Sequence, residues 1–353
     1  NTLSGVDKQV TDKPAPGSGQ NITYTITTSI PKVDYPGGAR IKRYEVVDQL
    51  DKRINKSTLA PVVKIVSGQQ ETVLADTTDY TLITAEGTKH NWATIQLTEE
   101  GRRKAAEARH NGNGETKVQV TLTATFDPKS VDLEGVLSNT AGLIPNDSPN
   151  FTWDPNNPGT TTDVPGIPTT PVLSKYGKVN LTKTGTDKLD DKTKYNGAQF
   201  QVYECTKTAS GATLRDGDPS TPTVDPLTIG GEKTFTTAGQ GTVTINSLRA
   251  NDYVDGVKKD ALTDEDYYCL VETKAPEGYT LQPDPIPFRV LATDAEAKVP
   301  TEVTVTDVPK NAGFRLPLTG ANGVIFLTVA GALLVVGGAV IAYANKRRHA
   351  AKH

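Results

Sequence analysis

The chain has no methionine, two cysteines and four histidines in 353 residues. With no initiator and no apolar run at the start there is no secretion leader in view, and the expectation is that a front end precedes Asn1 in a longer precursor. His90, His110, His349 and His353 show neither metal-ligand nor triad spacing. No metal, no cofactor and no turnover chemistry are therefore expected. Neither sign of charge is in excess, with 38 Lys plus Arg against 41 Asp plus Glu. That excludes a strong pull toward nucleic acid or acidic substrates, and the one basic cluster lies at the C-terminus. Leu, Ala and aromatics are sparse beside Thr, Val, Gly, Pro and Asp.

The length allows two or three domains, each with its own core. Runs such as Ile22 to Ile30 and Val118 to Phe126 alternate with period two, which predicts an extracellular all-β chain. A first unit is expected over 1–154, with strands at Val6 to Val10, Ile22 to Ile30, Tyr44 to Asp48 and Val118 to Phe126. One short helix is expected within it, capped by Thr98, with Glu99 and Glu100 in its first turn and His110-Asn111-Gly112 as its stop. Residues 155–175 are rich in Pro, Thr, Asn and Gly and read as an extended linker. A second unit over 176–314 carries short strands at Lys178 to Lys183, Ala198 to Cys205, Lys233 to Ile245, Tyr267 to Thr273 and Val303 to Asp307. Short strands and polar turns predict a β-sandwich.

The last part, 315–353, has three pieces in order. Leu316-Pro317-Leu318-Thr319-Gly320 comes first, an apolar stretch from Val324 to Ala344 second, and Lys346-Arg347-Arg348 third. A helix of that length spans roughly 30 Å of hydrocarbon, and basic residues after it stay on the cytoplasmic side, so the preceding chain is outside. The three-part order resembles the cell-wall sorting signal of Gram-positive bacteria. The resemblance implies sortase cleavage between Thr319 and Gly320, transfer of the Thr319 acyl group to an amine, and loss of the transmembrane span from the product.

In a strand, residues of equal parity share a face. Val179, Leu181 and Lys183 therefore lie together, as do Tyr268, Leu270 and Glu272, and Val303, Val305 and Asp307. Each apolar row ends in an ionisable group, which either emerges into water at the strand mouth or is buried at a cost of several kcal/mol unless compensated. Burial would favour a neutral lysine beside a protonated acid, the conditions for an intramolecular isopeptide bond. In that reading Lys183 is the nucleophile, Asp307 the acceptor and Glu272 the proton-transfer partner. Val6, Lys8 and Val10, then Tyr44, Val46 and Asp48, then Leu137, Asn139 and Ala141 form a parallel set in the first unit.

The stretch Tyr268-Cys269-Leu270-Val271-Glu272-Thr273-Lys274-Ala275-Pro276-Glu277-Gly278-Tyr279 resembles the E box of sortase-assembled pilins and collagen-adhesin B-type domains. Gly197-Ala198-Gln199-Phe200-Gln201-Val202-Tyr203 fits their second strand. The resemblance implies two tandem immunoglobulin-like sandwiches of the collagen-adhesin A and B types, and a Lys183 to Asp307 bond assisted by Glu272. Pilins usually carry Asn as acceptor, which leaves Asn311 as the alternative, although Pro309 is expected to end the strand first. For the first unit the resemblance assigns Lys8 as nucleophile, Asn139 as acceptor and Asp48 as acid. Cys205 and Cys269 fall on the outer faces of their strands and are expected to form a disulfide.

Backbone pilins carry a Tyr-Pro-Lys-Asn motif whose lysine attacks the next subunit's acyl-enzyme. The residues after that lysine look like Asn1-Thr2-Leu3, so the resemblance places the polymerising lysine just ahead of this chain. Val308-Pro309-Lys310-Asn311 is a look-alike read as a tether, with a nucleophile at that motif as the alternative. The implied role is a shaft subunit, with a sortase, neighbouring pilins, peptidoglycan and host surface ligands as partners and no nucleic acid. The alternative is a wall-anchored adhesin or minor pilin whose binding lies in a missing N-terminal region.

Overall fold

A computed structural model of the chain describes residues 5–12, 21–37, 40–112, 115–126, 134–145, 151–215 and 224–310. Its first sandwich uses β1 (Val6–Thr11), β2 (Asn21–Ser29), β3 (Glu45–Leu50), β4 (Ala60–Ser67), β5 (Gln70–Val73), β6 (Tyr80–Glu86), β7 (Asn91–Leu97), β8 (Lys117–Thr125) and β9 (Gly135–Ile144). One sheet runs β1-β2-β8-β4-β5 and the facing one β9-β3-β7-β6. The alternation in β2 and β8 places Ile22, Tyr24, Ile26, Val118, Val120 and Leu122 inward. Each such side chain contributes about 1.5–3 kcal/mol by leaving water.

The helix expected at Thr98 is present as α1 (Glu99–Asn111), and the Thr98 side chain accepts from the Gly101 backbone N–H. It lies between β7 and β8. The four strands from β4 to β7 had no counterpart in the expected set. In β4 and β5 Val62 and Val73 are exposed, which weakens the hydrophobic alternation, whereas β7 is buried on both faces, which removes it.

Residues 155–175, read from composition as an extended linker, are not free of packing. Val164, together with Phe151 and Trp153 just ahead of the segment, covers Val47, Trp92 and Ile144 on the outer face of the β9-β3-β7 sheet. Trp153 Nε1 donates to Thr94 Oγ1 at 3.1 Å, and Arg43 Nη1 donates to the Phe151 carbonyl at 2.9 Å. Then β10 (Ile167–Pro168) pairs with β9, and β11 (Val172–Gly185) begins by pairing with the same strand from Val172 to Tyr176. Proline composition marked a break in regular hydrogen bonding, but the aromatic side chains just ahead of the break, with Val164 inside it, found an apolar face to cover.

The second sandwich starts from the remainder of β11. It adds β12 (Gln199–Thr208), β13 (Gly211–Arg215), β14 (Phe235–Thr236), β15 (Thr242–Arg249), the hairpin β16 (Tyr253–Val254) and β17 (Val257–Lys258), β18 (Tyr267–Lys274), β19 (Ile286–Phe288) and β20 (Thr301–Asp307). Strand β11 lies between β15, antiparallel to it, and β20, parallel to it; β12 and β18 form the facing sheet with β13, β14 and β19. Val179, Leu181, Ile245 and Val305 meet Phe200, Val202, Tyr268 and Leu270 in the core.

The single strand expected from Lys233 to Ile245 is two. Gly239 and Gly241 hold φ of 62° and 73°, a region open to glycine at no steric cost, and they turn the chain from one sheet to the other. A second short helix, α2 (Ala292–Ala297), also escaped the sequence. It has no side-chain N-cap, so it carries no start signal.

Both sandwiches belong to one compact unit, Asn1–Asp307. At their junction Asp12 and Asp255 exchange hydrogen bonds, each backbone N–H donating to the other's carboxylate at 3.0 and 2.9 Å. Buried Arg249 lies 4.0 Å from Asp12 and donates to the carbonyls of Ala250 and Tyr253. Among the described residues no helix is long and apolar enough to cross a membrane. The stretch Val324 to Ala344 lies outside the described residues.

Candidate functional sites: two buried lysine clusters

In the second sandwich three inward rows converge. Lys183 in β11 pairs in register with Val305 of β20, so Asp307, two residues on, shares its face and lies alongside. Glu272 arrives from β18 in the opposite sheet. Lys183 Nζ is in contact with Asp307 Oδ1 and 3.0 Å from Glu272 Oε1, and all three side chains are fully enclosed, at 0% exposure. The strand-mouth alternative is thereby excluded for this set. Glu272 Oε2 accepts the Gln282 backbone N–H at 2.7 Å. Burial pushes the Glu272 carboxyl up, against the pull of that hydrogen bond and of Lys183. The Phe200 ring lies 5.8 Å from Lys183 Nζ.

The first sandwich builds a second cluster across its two sheets. Lys8 points inward from β1, and Asp48 from β3 sits in register with Ala141 of β9, so Asn139 is its near neighbour on the same face. Lys8 Nζ donates to Asp48 Oδ1 at 2.5 Å, with the side chains 0% and 1% exposed. Burial lowers the lysine and raises the aspartate despite their mutual attraction. Both shifts favour the neutral amine and the protonated acid. The buried Asn139 carboxamide lies against the same groups, interacting with the Asp48 carboxyl and the Tyr24 phenol.

Tyr24 was not singled out from the sequence, yet its ring centroid lies 4.6 Å from Lys8 Nζ. Its parity with Ile22 and Ile26 placed it inward, and only the pairing of β1 with β2, Val10 opposite Tyr24, places it on the lysine. Gln282 was also missed, because a backbone donor in a loop leaves no residue-type signal. Cys205 and Cys269 form a disulfide between the paired strands β12 and β18, with Cα atoms 5.8 Å apart. Both are buried, not on an open outer face. Asn311 and Leu316-Pro317-Leu318-Thr319-Gly320 lie outside the described residues. Among the described residues no cluster of His, Cys, Asp and Glu could hold a metal ion.

Each of the two tandem β-sandwiches thus encloses a lysine beside a carboxyl group, with a second carboxyl or a carboxamide next to it. Comparison with known proteins shows the family. Residues 308–351 match the LPXTG cell wall anchor motif, and residues 177–308 match the prealbumin-like fold domain family. The chain is 86% identical over 353 residues to fimbrial subunit type 1 of Actinomyces viscosus, covering all of this chain and 66% of that protein. It is 32% identical over 338 residues to fimbrial subunit type 2 of Actinomyces naeslundii, covering 94% of this chain and 58% of that one. The chain thus spans about two thirds or less of these relatives' length.

Among solved structures, the fimbrial protein FimP from Actinomyces oris superimposes with a TM-score of 0.80 at 86% identity, over 88% of this chain and 69% of that one. The full-length major pilin SpaD from Corynebacterium diphtheriae does so with a TM-score of 0.61 at 26% identity, over 86% and 65%. The chain belongs to the family of Gram-positive, sortase-linked pilins. It carries the cell-wall anchor of a surface protein, and its family is structural, not enzymatic.

Proposed function

We propose that the chain is a structural subunit of a covalently polymerised pilus shaft, joined by sortase through the Thr319 carbonyl to a lysine of the next subunit and stiffened by two internal amide bonds. The observation that carries this reading is the enclosure of Lys8 and Lys183, each against its own acceptor and acid, in a chain that also bears a sorting signal. In the first sandwich the Lys8 nitrogen bonds to Asn139 Cγ and the side-chain nitrogen leaves as ammonia, taking one proton from the amine, with Asp48 as carrier. In the second, the Lys183 nitrogen bonds to Asp307 Cγ and one carboxyl oxygen leaves as water, with Glu272 carrying the proton. Asp307 is favoured over Asn311 as acceptor because it already touches the amine. Neither reaction turns over, so the chain is not an enzyme. Peptidoglycan, reached directly or through a base subunit, is the anchor point, and host surface ligands are further partners.

Intact mass tests the internal bonds. Loss of about 17 Da for the Asn acceptor and about 18 Da for the Asp acceptor, plus about 2 Da for the disulfide, follows from the leaving groups of the nucleophilic step. Lys183→Ala should regain the water, and an unchanged deficit would remove the second bond. The polymer is tested on cells: a ladder that survives boiling in detergent is expected with active sortase and absent for Thr319→Ala. A single wall-bound species without a ladder would instead identify a singly anchored adhesin.

A further inference from the structure

Beside the Lys183 cluster the strand β11 ends in Gly185, which pairs in register with Asp307. Thr186 N–H then donates to the Asp307 carbonyl at 2.9 Å. One residue further, the Asp187 carboxylate accepts two phenols, Tyr279 at 2.6 Å and Tyr195 at 3.1 Å. The two rings meet edge to face with centroids 5.5 Å apart. Both residues are buried, Tyr195 completely. A Cβ on Gly185 would lie 2.2 Å from Asp187 Oδ1, 2.7 Å from the Tyr279 ring and 3.0 Å from the Tyr195 ring. The rings are thus seated on bare backbone at the one point where β11 passes the acceptor residue. Tyr279 belongs to the segment that leads from β18 to Gln282, whose N–H is bonded to Glu272 Oε2.

We propose that residues 275–282 form a lid, latched on Asp187 through the phenols of Tyr279 and Tyr195, that holds the Gln282 N–H on Glu272 Oε2 and so places the acid proton on Oε1. This rests on the reading of Lys183, Glu272 and Asp307 as an amide-forming set. A carboxylic acid has one O–H, and its carbonyl oxygen is the better acceptor. With Oε2 committed to the Gln282 N–H, the proton resides on Oε1, the atom 3.0 Å from Lys183 Nζ. From there it reaches the acceptor carboxyl, which the same lysine nitrogen touches. Asp187, Tyr279 and Tyr195 are positioning residues: they touch none of the reacting atoms and act by keeping the lid shut and water out. The ionisable groups facing Glu272 are Lys183 from β11 and Asp307 from β20, and the lid supplies an uncharged N–H.

The test uses the full chain, recovered unfolded before reaction and diluted into native buffer at a series of pH values, with aliquots quenched and weighed. Tyr279→Phe and Asp187→Leu keep approximate size and remove the phenol-to-carboxylate latch. Both are expected to slow the loss of water roughly tenfold, since a positioned acid contributes at least that much. They should also move the high-pH limb of the rate profile to lower pH, because an opened lid solvates Glu272 and lets it ionise earlier. The ammonia loss of the first sandwich and the disulfide, in the same molecule, report that folding is intact. A wild-type rate with an unmoved limb in both variants would overturn the lid, as would slower folding with an unmoved limb. A wild-type chain that never loses water would overturn the amide reading instead.

Discussion

Gly185 shows how much a single missing Cβ can decide. Its backbone lies against Asp187 and two tyrosine rings, so any side chain must push the 275–282 segment away from the Lys183 cluster. Gly185→Ala is expected to cost about 1–3 kcal/mol, the usual price of overpacking a closed site, and to slow water loss in the mass assay. Unchanged melting and unchanged kinetics would show that the rings can shift freely. Lys183→Ala has a different signature. It prevents the proposed amide and leaves two carboxyl groups enclosed without the amine they are packed against, and removing one member of such a buried set destabilises by about 3–5 kcal/mol. Lowered thermal stability together with regained water mass is the expected pair of results. Thr98→Ala, at the start of α1, should cost about 1 kcal/mol through the lost Gly101 hydrogen bond, with no effect on either mass deficit.

At the scale of elements, the hairpin β16–β17 and the end of β1 are joined by the Asp12–Asp255 exchange, with Arg249 and Ser174 also facing Asp12. Burial raises the Asp12 carboxyl above its ordinary range and outweighs the lowering from Asp255 and Arg249. The folded state therefore holds the Asp12 proton more tightly than the unfolded chain. Its stabilising contribution is full below the unfolded value near ~3.9 and is lost as pH rises through the higher folded value, at about 1.4 kcal/mol per unit of difference. Equilibrium unfolding against pH should show this slope in the native sequence and not in Asp12→Asn, which keeps an acceptor for the Asp255 N–H. Equal slopes in the two would remove Asp12 from the account. The disulfide ties β12 to β18 across a sequence separation of 64 residues. Its loss in Cys205→Ser should cost a few kcal/mol, and about 4 by the chain-entropy relation.

For the whole molecule, the two proposed amides each close a loop on the order of 100 residues, which the same relation values at about 5 kcal/mol. The double variant Lys8→Ala, Lys183→Ala should lose far more thermal stability than either single change, and should open to proteases that the native chain resists. The two lysines lie in separate cores, so their effects are expected to add. Additivity is checked by comparing the three melting curves.

Much of this could be read from residue order, because strand parity is a local property. The rows ending in Lys183, Glu272 and Asp307 required only a period of two, and so did Lys8, Asp48 and Asn139. The all-β class, the Thr98 cap, the anchor and the pairing of Cys205 with Cys269 rest on equally local signals. Tertiary structure alone decided which row faces which. It set Lys183 against Asp307 through a parallel pairing between strands more than 100 residues apart, brought Tyr24 onto Lys8 from the neighbouring strand, and folded 151–166 onto the outer sheet face. It also placed the Gln282 N–H on Glu272. Periodicity fixes the side of a strand on which a group lies, whereas its partner depends on strand order and sheet packing, which arise from contacts between distant segments.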